Sequence, residues 1–171
     1  MSFNAETYFQ EIAETLKVIA NSSAGNHFTK AENIAKMEGF LAEMQYAEGY
    51  QLVLMDSFRA QLIDNKSDNI LQKRFFTYFL LKNYAEGTFS GKYQIIDNCK
   101  AVVDKITAKM LNDRANYLNM MHRLDVPSLT FTQVGPVGSN WWGINVSFFM
   151  LDHPGSIVYN NDDWTEPVII S

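Results

Sequence analysis

Several residue groupings in this chain are of types that do chemistry. The stretch VGPVGSNWWGINVSFFM, residues 134–150, places Gly135, Gly138 and Gly143 around two adjacent tryptophans. A glycine-rich corner can wrap a phosphate, but a phosphate loop needs G-x-x-x-x-G-K-[ST] ahead of a helix. No lysine follows these glycines, and the next residues alternate like a strand. A hairpin turn is expected instead, with Gly and Pro supplying its backbone angles. Trp141 and Trp142 offer rings for stacking. Neighbours on a strand face opposite sides, so one ring is expected in the core and the other at a protein contact.

The remaining candidates are weaker. DNKSD, from Asp64, opens like a calcium loop but lacks the glycine at position six and the acid at position twelve. A solvated hairpin turn over 64–69 is expected, and the same reasoning covers NNDD at 160–163. His27, His122 and His153 are scattered, whereas zinc needs three or four converging ligands. Cys99 is the only cysteine, which excludes an internal disulfide and a CxxC site. Its neighbours at helical spacing are Ile95, Ile96, Val102 and Val103, so it is expected to pack as a small apolar residue. Adjacent carboxylates such as Asp162 and Asp163 are too common to signal acid–base catalysis. No catalytic residue, cofactor site or metal site is expected.

The elements that would position these residues follow from composition and period. The chain has 171 residues, 47% hydrophobic and 19% charged, which is the balance of one globular domain. Its net charge is −5, with 14 basic residues against 19 acidic. Tight nucleic-acid binding rests on Lys and Arg and is not expected. The first residues carry no basic flank before an apolar run, and no apolar stretch approaches membrane-spanning length. A cytoplasmic product without a membrane partner is expected, consistent with the single thiol.

Tyr8, Phe9, Ile12, Leu16 and Ile19 recur at helical steps, predicting an N-terminal helix. Thr29 and Glu32 have capping-box spacing, predicting a second helix from Thr29 with Ile34, Met37, Leu41 and Met44 along one stripe. YQLVLMDSFRAQLI and ILQKRFFTYFLLKN, either side of the 64–69 turn, read as paired strands. Ile96, Cys99, Val103, Ile106 and Met110 predict a long helix over about 92–117. SLTFTQV and WWGINVSFFM read as a second hairpin, and 152–171 as an extended arm. The expected fold is α+β: a mostly antiparallel four-stranded sheet of two hairpins packed on a long central helix, with the helices on one face. Residues 1–28 form an N-terminal helix and linker, and 29–151 the core.

Taken together, SDNILQKRFFTYFLLKN, IIDNCKAVVDKITAKM and the 134–150 stretch resemble a group of prophage-type proteins encoded in Bacteroidetes genomes. The element order over about 31–151 resembles tail terminator and neck proteins of tailed phages and related contractile particles. The resemblance implies a homo-oligomeric ring, six-fold, that closes the end of a tail tube and joins it to a neck or cap. Its partners would be copies of itself and tube, sheath or neck proteins, with DNA only passing through. The product would be cytoplasmic during assembly and then part of a virion or phage-like particle. That family performs no bond chemistry. Contacts are expected from Asp64, Lys66 and Asp68 in the turn, from Trp141 or Trp142, and from Ile157, Tyr159 and Trp164 in the arm. The alternative is a small ligand-binding or enzymatic domain with a pocket near Trp141.

Overall fold

The computed structural model describes residues 3–21, 26–44, 48–64, 70–84 and 89–153. Helices α1 (Ala5–Thr15) and α2 (Lys17–Ala20) open the chain. Strand β1 (Phe28–Ala31), helix α3 (Ile34–Glu43) and strands β2 (Tyr50–Met55), β3 (Arg59–Asp64) and β4 (Ile70–Asn83) follow. Helix α4 (Phe89–Ala115) leads through two 3-10 turns, Met121–Arg123 and Val126–Ser128, into β5 (Thr130–Val137) and β6 (Trp141–Asp152).

The fold is α+β, but the sheet has six strands and is mixed. Its order is β1-β2-β4-β6-β5, with β3 also paired to β4. β1 runs parallel to β2, and the other pairs are antiparallel. The expected second helix therefore starts later than Thr29, which lies in β1. Phe28 and Ala31 are buried in that strand, and the helix begins at Ile34. There the Asn33 side chain accepts the Lys36 N–H at 2.9 Å and caps the helix in place of the Thr29–Glu32 box.

The segment expected as one strand from Tyr50 is two. β2 pairs with 78–82 of β4 and β3 with 70–75. Four residues, 55–58, stand against two on β4, so the chain loops out between them. Asp64 pairs with Ile70 across the end of this hairpin. β4 has 14 residues and so spans about 45 Å. It pairs with β6 from Gln72↔Asp152 to Asn83↔Trp141.

The long helix stripe packs as its period requires: Ile96, Cys99, Val103, Ile106 and Met110 are all buried. They meet Tyr78, Leu80, Ile144, Val146, Phe148 and Met150 from one sheet face. α1 joins the same core through Tyr8, Phe9, Ile12 and Ala13, so the described part of the N-terminal segment contributes to the main core. The helices do not all lie on one face. α3 packs on the opposite face, where Met37 and Leu41 meet Val53, Phe79, Leu81 and Trp141.

Two of the corner glycines are set by close approach. A Cβ on Gly143 would lie 1.9 Å from the Leu80 carbonyl oxygen of the neighbouring strand, and one on Gly135 would lie 2.5 Å from the Trp142 ring. Gly135 also takes φ +131°, which disfavours other residues. The corner is a hairpin between β5 and β6, with a register shift between Val134 and Val137.

Candidate interface at the sheet edges

The two tryptophans and Cys99 are taken up in packing. Trp141 is 1% exposed and donates its indole N–H to the Leu41 carbonyl at 2.9 Å. It joins α3 to the sheet, so it is not available as a contact residue or as the wall of an open pocket. Trp142 is half-buried, against the main core, with the Lys92 ammonium 4.1 Å from its ring centre. The Cys99 thiol is fully buried and faces the Trp142 carbonyl at 3.8 Å. Burial pushes it up to about 12, against a smaller downward pull from Lys82. Such a thiol is not poised as a nucleophile.

The histidines lie apart in the fold. His27 sits at the buried margin with Nδ1 3.0 Å from the Tyr50 carbonyl. His122 stacks on Tyr117 at 5.5 Å, and His153 is exposed. Among the described residues no group of three or more His, Cys, Asp or Glu could hold a metal ion. No helix of the described residues is long and apolar enough to cross a membrane.

Two buried carboxylates carry structural charge. Asp113 is fully buried on α4. It accepts the Tyr8 hydroxyl at 2.9 Å and the Lys109 ammonium at 2.7 Å on each oxygen. Burial raises the Asp113 carboxyl, but the hydrogen bonds from Lys109 and Tyr8 outweigh it and hold the group below the usual carboxylate range. Burial and the Asp113 charge push the Tyr8 hydroxyl well above its ordinary value. This cluster ties α1 to α4. Asp152, at the end of β6, accepts from Arg123 and lies 3.5 Å from Arg74. It fastens the far end of the sheet to the connection before β5.

The exposed features lie at the sheet edges. Among the described residues β5 pairs only with β6, and Thr130, Phe131, Thr132 and Gln133 are all exposed, Phe131 by 50%. Its sequence, TFTQVGPV, has no charge. β3 pairs among the described residues only with β4, and its charges stand at the two ends, Arg59 and Asp64, with Leu62 half-exposed between them. The third edge, β1, is guarded: Lys30 bridges Glu6 at 2.8 Å and Asp56 at 3.5 Å. Edge strands normally carry such charges because their free N–H and C=O groups otherwise pair with another chain. Among the described residues, two of the three edges lack that protection along most of their length.

Of the contact residues expected from sequence, Asp64 lies at the exposed tip of β3 and Trp142 at the end of β6, so the fold does not bring them together. Lys66, Asp68, Ile157, Tyr159 and Trp164 lie outside the described residues. The sequence reading missed Phe131 and the β5 edge, because an edge is defined by what fails to pair with it. It also missed Arg59, Lys73, Phe75 and Phe149, which gather on one face. Their signal was present in the alternation of RFFTYF, where Phe75 falls on the face away from the long helix.

Compared with protein-family models, with curated proteins and with solved structures, the chain matches none.

Proposed function

We propose that the protein is a structural assembly unit that closes into a homo-oligomeric ring by pairing strand edges, β5 of one copy against β3 of the next. The observation that carries this reading is the charge-free β5 strand, left uncovered by the other described residues, at the opposite side of the sheet from a β1 edge that is charge-guarded. β5 and β3 are different strands, so their pairing is heterologous, and a heterologous contact generates a ring where its rotation closes. The strand–strand–helix–strand–strand order around α4 agrees with the resemblance to tail terminator and neck proteins. On that resemblance the ring is a hexamer that caps a phage-like tail tube, joins it to a neck or cap, and lets DNA pass. The net charge of −5 suits a passage that does not retain DNA.

The competing reading, a ligand-binding or enzymatic domain with a pocket near Trp141, has no support from Trp141, which fills its own space between sheet and α3. Size-exclusion chromatography with light scattering tests the assembly. The wild-type chain is expected to form a closed oligomer, alone or on adding tube protein. Thr132→Lys, at an exposed edge position, is expected to give a folded monomer. A wild-type monomer that tube protein does not assemble would reject the reading.

A further inference from the structure

Two half-exposed apolar side chains stand on the β5 and β3 edges. β5 pairs regularly with β6 over residues 130–134, before the register shift toward Val137. Phe131 is the register partner of Val146, a main-core residue, so it stands on the sheet face that carries α4. Leu62 is the register partner of Gln72 on β4. Gln72 alternates with Arg74, Phe76 and Tyr78 onto one face, and Tyr78 lies in the same core. Leu62 therefore stands on the α4 face too. Each of the two is 50% exposed. The other residues of β3 and of 130–134 on this face are Ala60, Asp64 and Gln133, none of them a large apolar side chain. Strand direction is also defined. β3 and β6 run antiparallel to β4, and β5 runs antiparallel to β6. β3 and β5 thus point in opposite senses within one copy. A neighbour that continues the sheet in the same orientation presents its β3 antiparallel to β5.

We infer that Phe131 of one copy stands directly opposite Leu62 of the next in an antiparallel pair; this rests on the β5–β3 ring proposed above and fixes its register. Residues 130–134 then lie against 63–59, five residues against five, inside the bounds of β3. A slip of one residue would put Phe131 and Leu62 on opposite faces. A slip of two in one direction sets the Phe131 ring against the Asp64 carboxylate and carries Thr130 past the end of β3. A slip of two in the other direction runs Gln133 and Val134 into 55–58, where the chain loops out from the sheet. In the inferred register a phenyl ring and an aliphatic side chain cover each other's exposed surface. The outward N–H and C=O groups of both edges gain partners at the same time.

The test uses the full-length chain carrying Thr132→Cys and Gln61→Cys. Both positions are exposed, the register sets them opposite each other, and Phe131 and Leu62 stay in place. Within one copy β4 and β6 stand between them, a separation of at least about 14 Å and too far for a disulfide. A bridge therefore joins two copies, and the native Cys99 is fully buried. On mild oxidation this pair is expected to bridge at least about tenfold faster than Thr132→Cys with Arg59→Cys or with Ile63→Cys, which the register leaves diagonal. Adding Phe131→Ser to the first pair is expected to slow its bridge at least about fivefold, because the side chain that selects the register is gone. Unchanged melting temperatures show that the variants are folded. An oligomer that bridges fastest through the Arg59→Cys or Ile63→Cys pair, or a first pair that Phe131→Ser does not slow, overturns the register and leaves the ring standing. An oligomer that bridges through none of the three pairs, or a chain that stays monomeric alone and with tube protein, overturns the β5–β3 contact and the register with it.

Discussion

Removing one hydroxyl at Tyr8 tests whether the buried Asp113 cluster holds the N-terminal helix to α4. In Tyr8→Phe the ring keeps its edge-on contacts with Phe3 and Phe9, at 5.4 and 5.5 Å. Only the 2.9 Å bond to Asp113 is lost. Hydrogen bonds to charged groups contribute about 1.5–3 kcal/mol. Lys109 still reaches both carboxylate oxygens at 2.7 Å, so a loss of about 1.5 kcal/mol, the low end, is expected at pH 7. With an m-value on the order of 2 kcal/mol/M, the urea midpoint falls by about 0.8 M. The pH dependence follows from the lowered carboxyl of Asp113. A group whose pKa is depressed by folding stabilises the fold above its unfolded value, about 3.9 for Asp. That contribution is lost as pH falls through the folded value. Once Asp113 is protonated, the Tyr8 bond is a neutral one of about 0.5–1.5 kcal/mol. The gap between wild type and variant should therefore narrow as pH falls below about 4. A difference under about 0.5 kcal/mol at pH 7, or a gap that does not narrow in acid, would refute the reasoning.

Three further predictions concern the packing of the fold. Gly143→Ala places a methyl 1.9 Å from the Leu80 carbonyl and is expected to cost more than about 3 kcal/mol in urea unfolding. Gly39→Ala, in α3 with nothing within 4 Å of the new atom, is expected to stabilise by about 0.5–1 kcal/mol. The Cys99 thiol, pushed up to about 12, is expected to react with a disulfide reagent at pH 8 at least about 100-fold more slowly than after unfolding. Rapid labelling of the native chain would contradict the fold around α4.

The helices and strands with long, regular periods were legible in the sequence. The Ile96 to Met110 stripe and the 12-residue β6 bury the faces that their spacing requires. β1 was not legible. Four residues give too little alternation, and its parallel partner Leu52 to Met55 lies far along the chain, so the local Thr29–Glu32 capping signal gave a false helix start. The break at 55–58 escaped because strand-forming residues continue on both sides of it. The stripe in α3 was correct, but the face it covers was not. Period says which residues of a helix are buried and nothing about which side of a sheet receives them. The same limit hid the candidate interface, since β5 becomes an edge only when β6 pairs on one side of it and none of the described residues pairs on the other.

The central claim concerns the outer edge of β5. Hydrogen–deuterium exchange of the full-length chain at high and low concentration, resolved to the peptide spanning Thr130–Val137, measures it directly. Pairing with another copy predicts that amides in this peptide gain protection as concentration rises, together with those of Arg59–Asp64, and that Thr132→Lys removes the gain in both. Exchange in β5 and β3 that stays constant across concentrations while light scattering reports an oligomer would place the contact elsewhere and contradict the account.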